Sequence, residues 1–313
     1  MSGCPENNYN RQKPFSERVH AVSLSANALC ICLLLVFLCI MAGCQTVRMV
    51  RPFSPADVLP DTDSIYVKIP VKQNRELCKT VINTYISGLT EDNSSDLLDR
   101  SEVFYASVNF ETNAINAAIV GDFPFFISMI FTEKNGWTSY SYSDKDYSCK
   151  YYINGAGFQV SVLQNKIMLV SSSDVKTLLK RQFAYDSAAT EMIVESSSEE
   201  SVVYSKNEML SRSGASISFY TSKAGNFIEN IMGNEITLAA DTAAGSFARE
   251  DDNIYILDMK MNFVNKHAVK PALFLFKKIQ ADKIVTEQIA ENAISCAGMN
   301  MDIKTIVSLL IGG

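Results

Sequence analysis

Histidine is nearly missing: the 313 residues hold two, His20 and His267, too few for most hydrolytic triads or histidine metal clusters. Cysteine is scarce where it would matter for folding. Of eight, Cys4, Cys30, Cys32 and Cys39 precede Cys44, and only Cys78, Cys149 and Cys296 follow it. Three dispersed cysteines make no disulfide framework, and none stands at metal-ligand spacing, so no zinc site is expected and the three read as small buried apolar residues. Positive charge is not in excess: 28 Lys and Arg against 34 Asp and Glu leave −6, which argues against nucleic acid as a partner. There is no Walker loop, G-x-G-x-x-G, G-x-S-x-G or H-E-x-x-H, and each of those chemistries depends on its spacing. "NGAG" at residues 154–157 is expected as a hairpin turn rather than a phosphate cradle. The acidic runs at residues 90–96 and 249–252 lack the spacing and bidentate end of a calcium loop and are expected as solvated loops. No catalytic residue, metal or soluble cofactor is assigned, and the chain is not expected to be an enzyme. A pair of carboxylates meeting in space is the one route left open.

What is present begins near the N-terminus. Residues 21–43 carry no charge, residues 28–42 are almost purely apolar, and Arg11, Lys13 and Arg18 precede them. This is the order of a basic n-region and an apolar h-region. The run is also long enough to cross a bilayer, so a retained anchor stands beside a cleaved signal. Met41-Ala42-Gly43-Cys44 separates the two readings, because it resembles a bacterial lipobox. Small residues before the cut enter the peptidase groove, cleavage falls between Gly43 and Cys44, the Cys44 thiol takes diacylglycerol, and the freed Cys44 α-amino group takes an N-acyl chain such as palmitate. Met41 stands where Leu is usual. Gln45 is not the Asp that retains enterobacterial lipoproteins in the inner membrane, which favours the outer one. Acyl chains at about 0.8 kcal/mol per buried methylene hold such an anchor in place.

The mature chain divides by composition. Residues 44–62 contain three prolines and no strand or helix period, and are expected as a lipidated tether. Residues 63–185 form a first α+β module: "DSIYVKIPV" alternates as a strand, "ELCKTVINTYI" has helical spacing, and "WTSYSYS", "KYYING", "FQVSVLQ" and "KIMLVSS" follow as short strands. Residues 186–213, with "ESSSEES", are a polar connection, and residues 214–313 repeat the grammar in a second module. "DVKTLL" at 174–179 returns as "DIKTIV" at 302–307, and Pro124 and Pro271 open corresponding apolar segments in the same order. The expected fold is thus α+β, two tandem related modules of antiparallel strands packed with amphipathic helices, after a lipoprotein signal peptide at residues 1–43.

Apolar segments without an evident place remain. "FPFFISMIF" (123–131) is apolar on every side, "VKPALFLFKKI" (269–279) sets its apolar centre among Lys270, Lys277 and Lys278, and the last helix has no charge after Lys304. Either segment could be core. Together they fit elements lying at a headgroup layer with cationic ends. The candidate membrane or lipid contacts are Phe125, Phe126, Ile130, Phe274, Phe276, Leu309 and Leu310.

From about residue 63 to 311 the chain is similar to the treponemal concealed outer-membrane lipoproteins of spirochaetes. The similarity is carried by "DSIYVKIPVKQNRELCKTVIN", "LDRSEVFYASVNF", "FPFFISMIFTEKNGWTSY" and "ISFYTSKAGNFIENIM". The resemblance implies tandem α/β repeats, an anchor in the periplasmic leaflet of the outer membrane, amphipathic helices that insert into lipid, and a cavity for a lipid or other amphiphile. The expected partners are membrane lipids and such an amphiphile. The competing expectation is a periplasmic scaffold merely leashed by its lipid.

Overall fold

The computed structural model describes residues 54–85, 89–144, 147–163, 166–187, 203–232, 238–279 and 284–311. The first 53 residues, with the expected signal peptide, Gly43 and Cys44, lie outside the described residues, as does most of the polar connection.

Twelve strands form one sheet: β1 (Ile65–Pro70), β2 (Ser101–Asn109), β3 (Ala114–Gly121), β4 (Trp137–Asp144), β5 (Tyr147–Asn154), β6 (Gln159–Leu163), β7 (Ile167–Ser171), β8 (Ile217–Thr221), β9 (Ala240–Arg249), β10 (Ile254–Phe263), β11 (Val285–Ala290) and β12 (Ala293–Asp302). The helices are α1 (Arg75–Tyr85), α2 (Glu91–Arg100), α3 (Val175–Ser187), α4 (Lys206–Ser211), α5 (Ala224–Met232), α6 (Val269–Ile279) and α7 (Ile303–Ile311), with 3-10 turns at Pro55–Val58, Phe125–Ile130, Glu133–Asn135 and Lys266–Ala268. The strand order is β11-β12-β10-β9-β8-β1-β2-β3-β7-β6-β5-β4. Neighbouring strands run antiparallel throughout. The architecture is α+β.

The two halves of the chain meet at the β1·β8 pair, where Ile65 faces Thr221 and Lys68 faces Ser218. Outward from that seam the neighbours run β1-β2-β3-β7-β6 on one side and β8-β9-β10-β12-β11 on the other, with β5 and β4 extending the first. The echoing hexamers occupy matching places: Asp174 precedes α3 directly after β7, and Asp302 ends β12 directly before α7. Each carboxylate caps its helix, Asp174 Oδ1 accepting from Lys176 N at 3.1 Å and Asp302 Oδ1 from Thr305 N at 2.7 Å.

Alternation in β1 sets the two faces. Ile65, Val67 and Ile69 enter a large core with Leu77, Cys78 and Ile82 of α1, Phe227 and Ile228 of α5, Phe276 of α6 and Leu309 and Leu310 of α7. Tyr66 points the other way, to Ala56, Leu59 and Leu210. On that second face Val175, Leu178, Leu179 and Phe183 of α3 pack on Ala118 and Leu169. The matched helices α3 and α7 therefore cover opposite faces, and α7 reaches across the seam to contact α1, α5 and β2.

Three expectations are corrected here. The tether ends sooner: Ala56, Val58 and Leu59 are buried, and residues 54–62 form a strap on the second face, because a capping box between Ser54 and Asp57 organises a turn whose apolar residues have a sheet to cover. Tyr66 Oη donates to the Pro60 carbonyl at 2.6 Å, and Asp61 pairs with Arg181 at 2.7 Å and Lys206 at 2.8 Å. Residues 90–96 are not a solvated loop but the start of α2: Thr90 Oγ1 accepts from Asn93 N, and Glu91 and Asp92 suit the first turn. The connection contains α4, with its own capping box between Ser205 and Glu208. The glycine turn holds as expected: Asn154 Oδ1 accepts from Ala156 N and Phe158 N, and Gly157 takes a φ of 87°.

Candidate functional site

Small side chains in the first half of the sheet leave room under the helices. Ala117 of β3 stands opposite Ala106 of β2 on one side and Val170 of β7 on the other. Val81 and Ile82 of α1 and Leu310 of α7 close over this row. The result is a cavity of about 40 Å³ whose lining residues are all apolar. A space of this kind stays dry, because water in it would find no hydrogen-bond partner.

The outer side of the same helical layer exposes apolar groups. In α6 Val269, Ala272 and Phe276 are fully buried at helical spacing, whereas Phe274 is 71% exposed. Lys270, Lys277 and Lys278 are exposed around it. Positions two apart point to nearly opposite sides of a helix, so the two phenylalanines cannot make the same contact. Phe276 is corrected accordingly: it belongs to the core. In the 3-10 turn Phe125–Ile130, Ile127 is buried and Ile130 packs partly against the core, while Phe126 is 46% and Met129 70% exposed. The Arg100 guanidinium lies 5.7 Å from the Phe126 ring centre. The side chain of Phe125 lies outside the described residues. Leu309 and Leu310 are buried rather than outward-facing, since α7 is enclosed by its neighbours and Leu310 lines the cavity. Met129, Val264 and Val285 are exposed apolar residues that the sequence reading passed over. Met129 could have been found from its offset of two from buried Ile127.

Among the described residues no group of three metal-ligating side chains occurs. Burial pushes the thiols of Cys78 and Cys296 up to about 12, so neither is a thiolate at neutral pH. Cys149 is half-buried, and burial raises its pKa as well. The buried carboxylate of Asp63 accepts from Ser107 Oγ at 2.5 Å and Asn116 Nδ2 at 3.1 Å, and Asn116 Oδ1 accepts from Ser171 Oγ at 2.9 Å. This chain of bonds ties β2, β3 and β7 to Asp63, the residue directly after the strap. Among the described residues no helix is long and apolar enough to cross a membrane.

Solved structures share this fold. Crystal form I of TP0453 superposes with a TM-score of 0.60 at 15% identity over 83% of this chain and 97% of that one. Crystal form III gives 0.59 at 16% identity over 83% and 99%. No curated protein sequence matches the chain. A family model described as "Outer membrane-associated lipoprotein TP0453" matches residues 49–306. That span includes the strap, the sheet, the cavity lining except Leu310, and both outward-facing apolar elements, and the chain belongs to this family of outer membrane-associated lipoproteins.

Proposed function

We propose that the protein is a non-enzymatic lipoprotein whose body engages the bilayer directly. In this reading residues 1–43 are a signal peptide, Cys44 carries the acyl anchor in the periplasmic leaflet, and residues 45–53 span to the strap. The two halves of the sheet are tandem modules, a reading supported by the matching neighbour order and by the same place of the two hexamers in the order of elements, although their helices cover opposite faces. The observation that carries membrane contact is Phe274, 71% exposed among Lys270, Lys277 and Lys278 on a helix whose other side is core. An aromatic ring ringed by cations suits the headgroup boundary of anionic lipid. Met129 and Phe126 flank the first module in the same way, and both elements pack their inner sides into one core cluster.

The cavity adds a second capacity, holding the tail of an amphiphile. At about 40 Å³ it is far below the roughly 300 Å³ where ligand sites begin. An acyl chain therefore enters only if α1 or α7 moves away from the sheet, exposing the row at Ala106, Ala117 and Val170. The burial of Phe276, Leu309 and Leu310 favours the scaffold reading to the extent that these side chains already have partners. Flotation separates the two. The chain from Gln45 onward, lacking its acyl group, should rise with vesicles containing phosphatidylglycerol; if it stays in the soluble fraction, the lipid is only a leash and the partner is protein.

A further inference from the structure

The sheet face opposite the amphipathic layer carries a second cluster that the lipid reading does not use. Met259 and Met261 of β10 are buried in the main core, which turns Lys260 to this face. Lys68 reaches the same face from β1, between inward-pointing Val67 and Ile69. Helix α4 lies over the neighbouring strands, with Met209 packed beside Val203 on Ala244 of β9. Its two ends thereby bring Tyr204 and Arg212 over Lys260. The Arg212 guanidinium is 3.9 Å from the Tyr204 ring centre, and Lys260 Nζ is 4.8 Å from it. Lys68 Nζ donates to the Arg212 main-chain carbonyl at 2.5 Å, which fixes the backbone that carries the guanidinium.

These cations are placed unlike many others in the chain. Arg75, Lys79, Lys166, Arg181, Lys206, Lys223, Arg249 and Lys266 each pair with a carboxylate. Lys68, Arg212 and Lys260 make no such ion pair among the described residues, and only Arg212 acts on a carboxylate at all, through its charge on Glu208, in a protein of net charge −6. The nearby acids bond chiefly elsewhere: Glu208 Oε2 accepts from Ser205 N at 2.7 Å, with the Arg212 charge a smaller influence on it, and Asp258 Oδ1 accepts from Gly298 N at 2.9 Å. Gathering like charges in one place is unfavourable unless an anion offsets it. The Tyr204 hydroxyl reports the local field, its pKa held below the ordinary value by the Arg212 hydrogen bond and then by the Lys260 charge.

We propose that Arg212, Lys260 and Tyr204, with Lys68 holding the Arg212 backbone, form a binding site for a phosphoryl group. A guanidinium fork, an ammonium point charge and a phenol hydroxyl together match the several oxygens of a phosphate, whereas one carboxylate would leave donors unused. The phosphate can come from a lipid headgroup or from a soluble phosphate. The strap leading towards Cys44 packs on the same face, Ala56 and Leu59 meeting Leu210 of α4, so either source is within the setting of an anchored chain.

The test uses the non-acylated chain from Gln45, which retains every described residue, with inorganic phosphate as one probe and phosphatidylcholine vesicles with and without phosphatidic acid as the other. Inorganic phosphate should bind saturably, or the chain should prefer the phosphatidic acid vesicles. The double variant Arg212→Gln, Lys260→Gln should weaken that binding at least about tenfold with an unchanged circular dichroism spectrum. Binding of inorganic phosphate assigns the site to a soluble source, and preference for phosphatidic acid vesicles alone assigns it to a headgroup. Phe274→Glu should leave phosphate binding intact, which separates this site from the membrane contact proposed above. Equal behaviour of wild type and double variant towards both probes would overturn the proposal.

Discussion

Replacing Ala117 by valine is the most informative single change to the cavity. Ala117 lies on the floor, flanked across the strands by Ala106 and Val170, and α1 and α7 roof it with Val81, Ile82 and Leu310. The space is about 40 Å³, and an empty core volume costs about 24 cal/mol per Å³. Filling it is therefore worth up to about 1 kcal/mol, and valine also suits a strand. The gain applies only to the closed arrangement of the helices. Opening for an amphiphile then becomes harder by the same amount, and the apparent affinity should fall about fivefold. Urea unfolding at constant m reads the first effect, and titration with a fluorescent fatty acid reads the second. Destabilisation by Ala117→Val would refute the geometry of the cavity. Added stability with unchanged fatty-acid binding would refute its role in uptake.

Other consequences follow from the same residues. Phe276→Ala should cost about 3–5 kcal/mol because the ring is fully buried, whereas Phe274→Ala should shift stability by no more than about 0.5 kcal/mol; parallel urea curves decide this. Burial works to raise the pKa of Asp61, but hydrogen bonds and charge from Lys206 and Arg181 outweigh it and hold the carboxyl below its ordinary value. The clamp on the strap is therefore complete above the unfolded pKa, about 3.9, and is lost as pH falls through the lower folded value. Asp61→Asn should cost about 0.2–1 kcal/mol near pH 7, and its deficit should shrink as the pH approaches 3 in the same unfolding assay. Cys44→Ala should leave a precursor without acyl mass; mass spectrometry of membrane fractions showing the same processed species in that variant would remove the lipid anchor from the account.

Local pattern was legible and long-range pairing was not. The alternation in "IYVKIP" and the spacing in "ELCKTVINTY" correspond to β1 and α1, because both periods are set by neighbours in the chain. The β1·β8 seam has no local signature, since it joins residues about 150 positions apart. The helix Glu91–Arg100 was hidden by its composition: its first six residues, all polar or charged, precede Leu97 and Leu98, and its start depends on the Thr90 cap more than on an apolar stripe. Phe274 and Phe276 show a limit of a different kind. Both looked available in an apolar run, although a separation of two on a helix already required that one of them face inward. The cavity arises from Ala106 and Ala117 meeting across two strands, a register that the sequence does not display.

The central claim is that the outer side of α6 meets lipid, and Trp137 cannot report on it. That indole is fully buried, with Phe131 at 4.9 Å between ring centres, so its emission is already that of an apolar site. The most direct measurement is emission from a Phe274→Trp variant in a Trp137→Phe background, on the non-acylated chain, with vesicles of phosphatidylglycerol and lipids brominated along the acyl chain. The account predicts a shift to shorter wavelength on adding vesicles and strongest quenching by bromine placed near the headgroup. Emission that stays at its aqueous wavelength, unquenched by bromine at any depth while the protein remains folded, would contradict it.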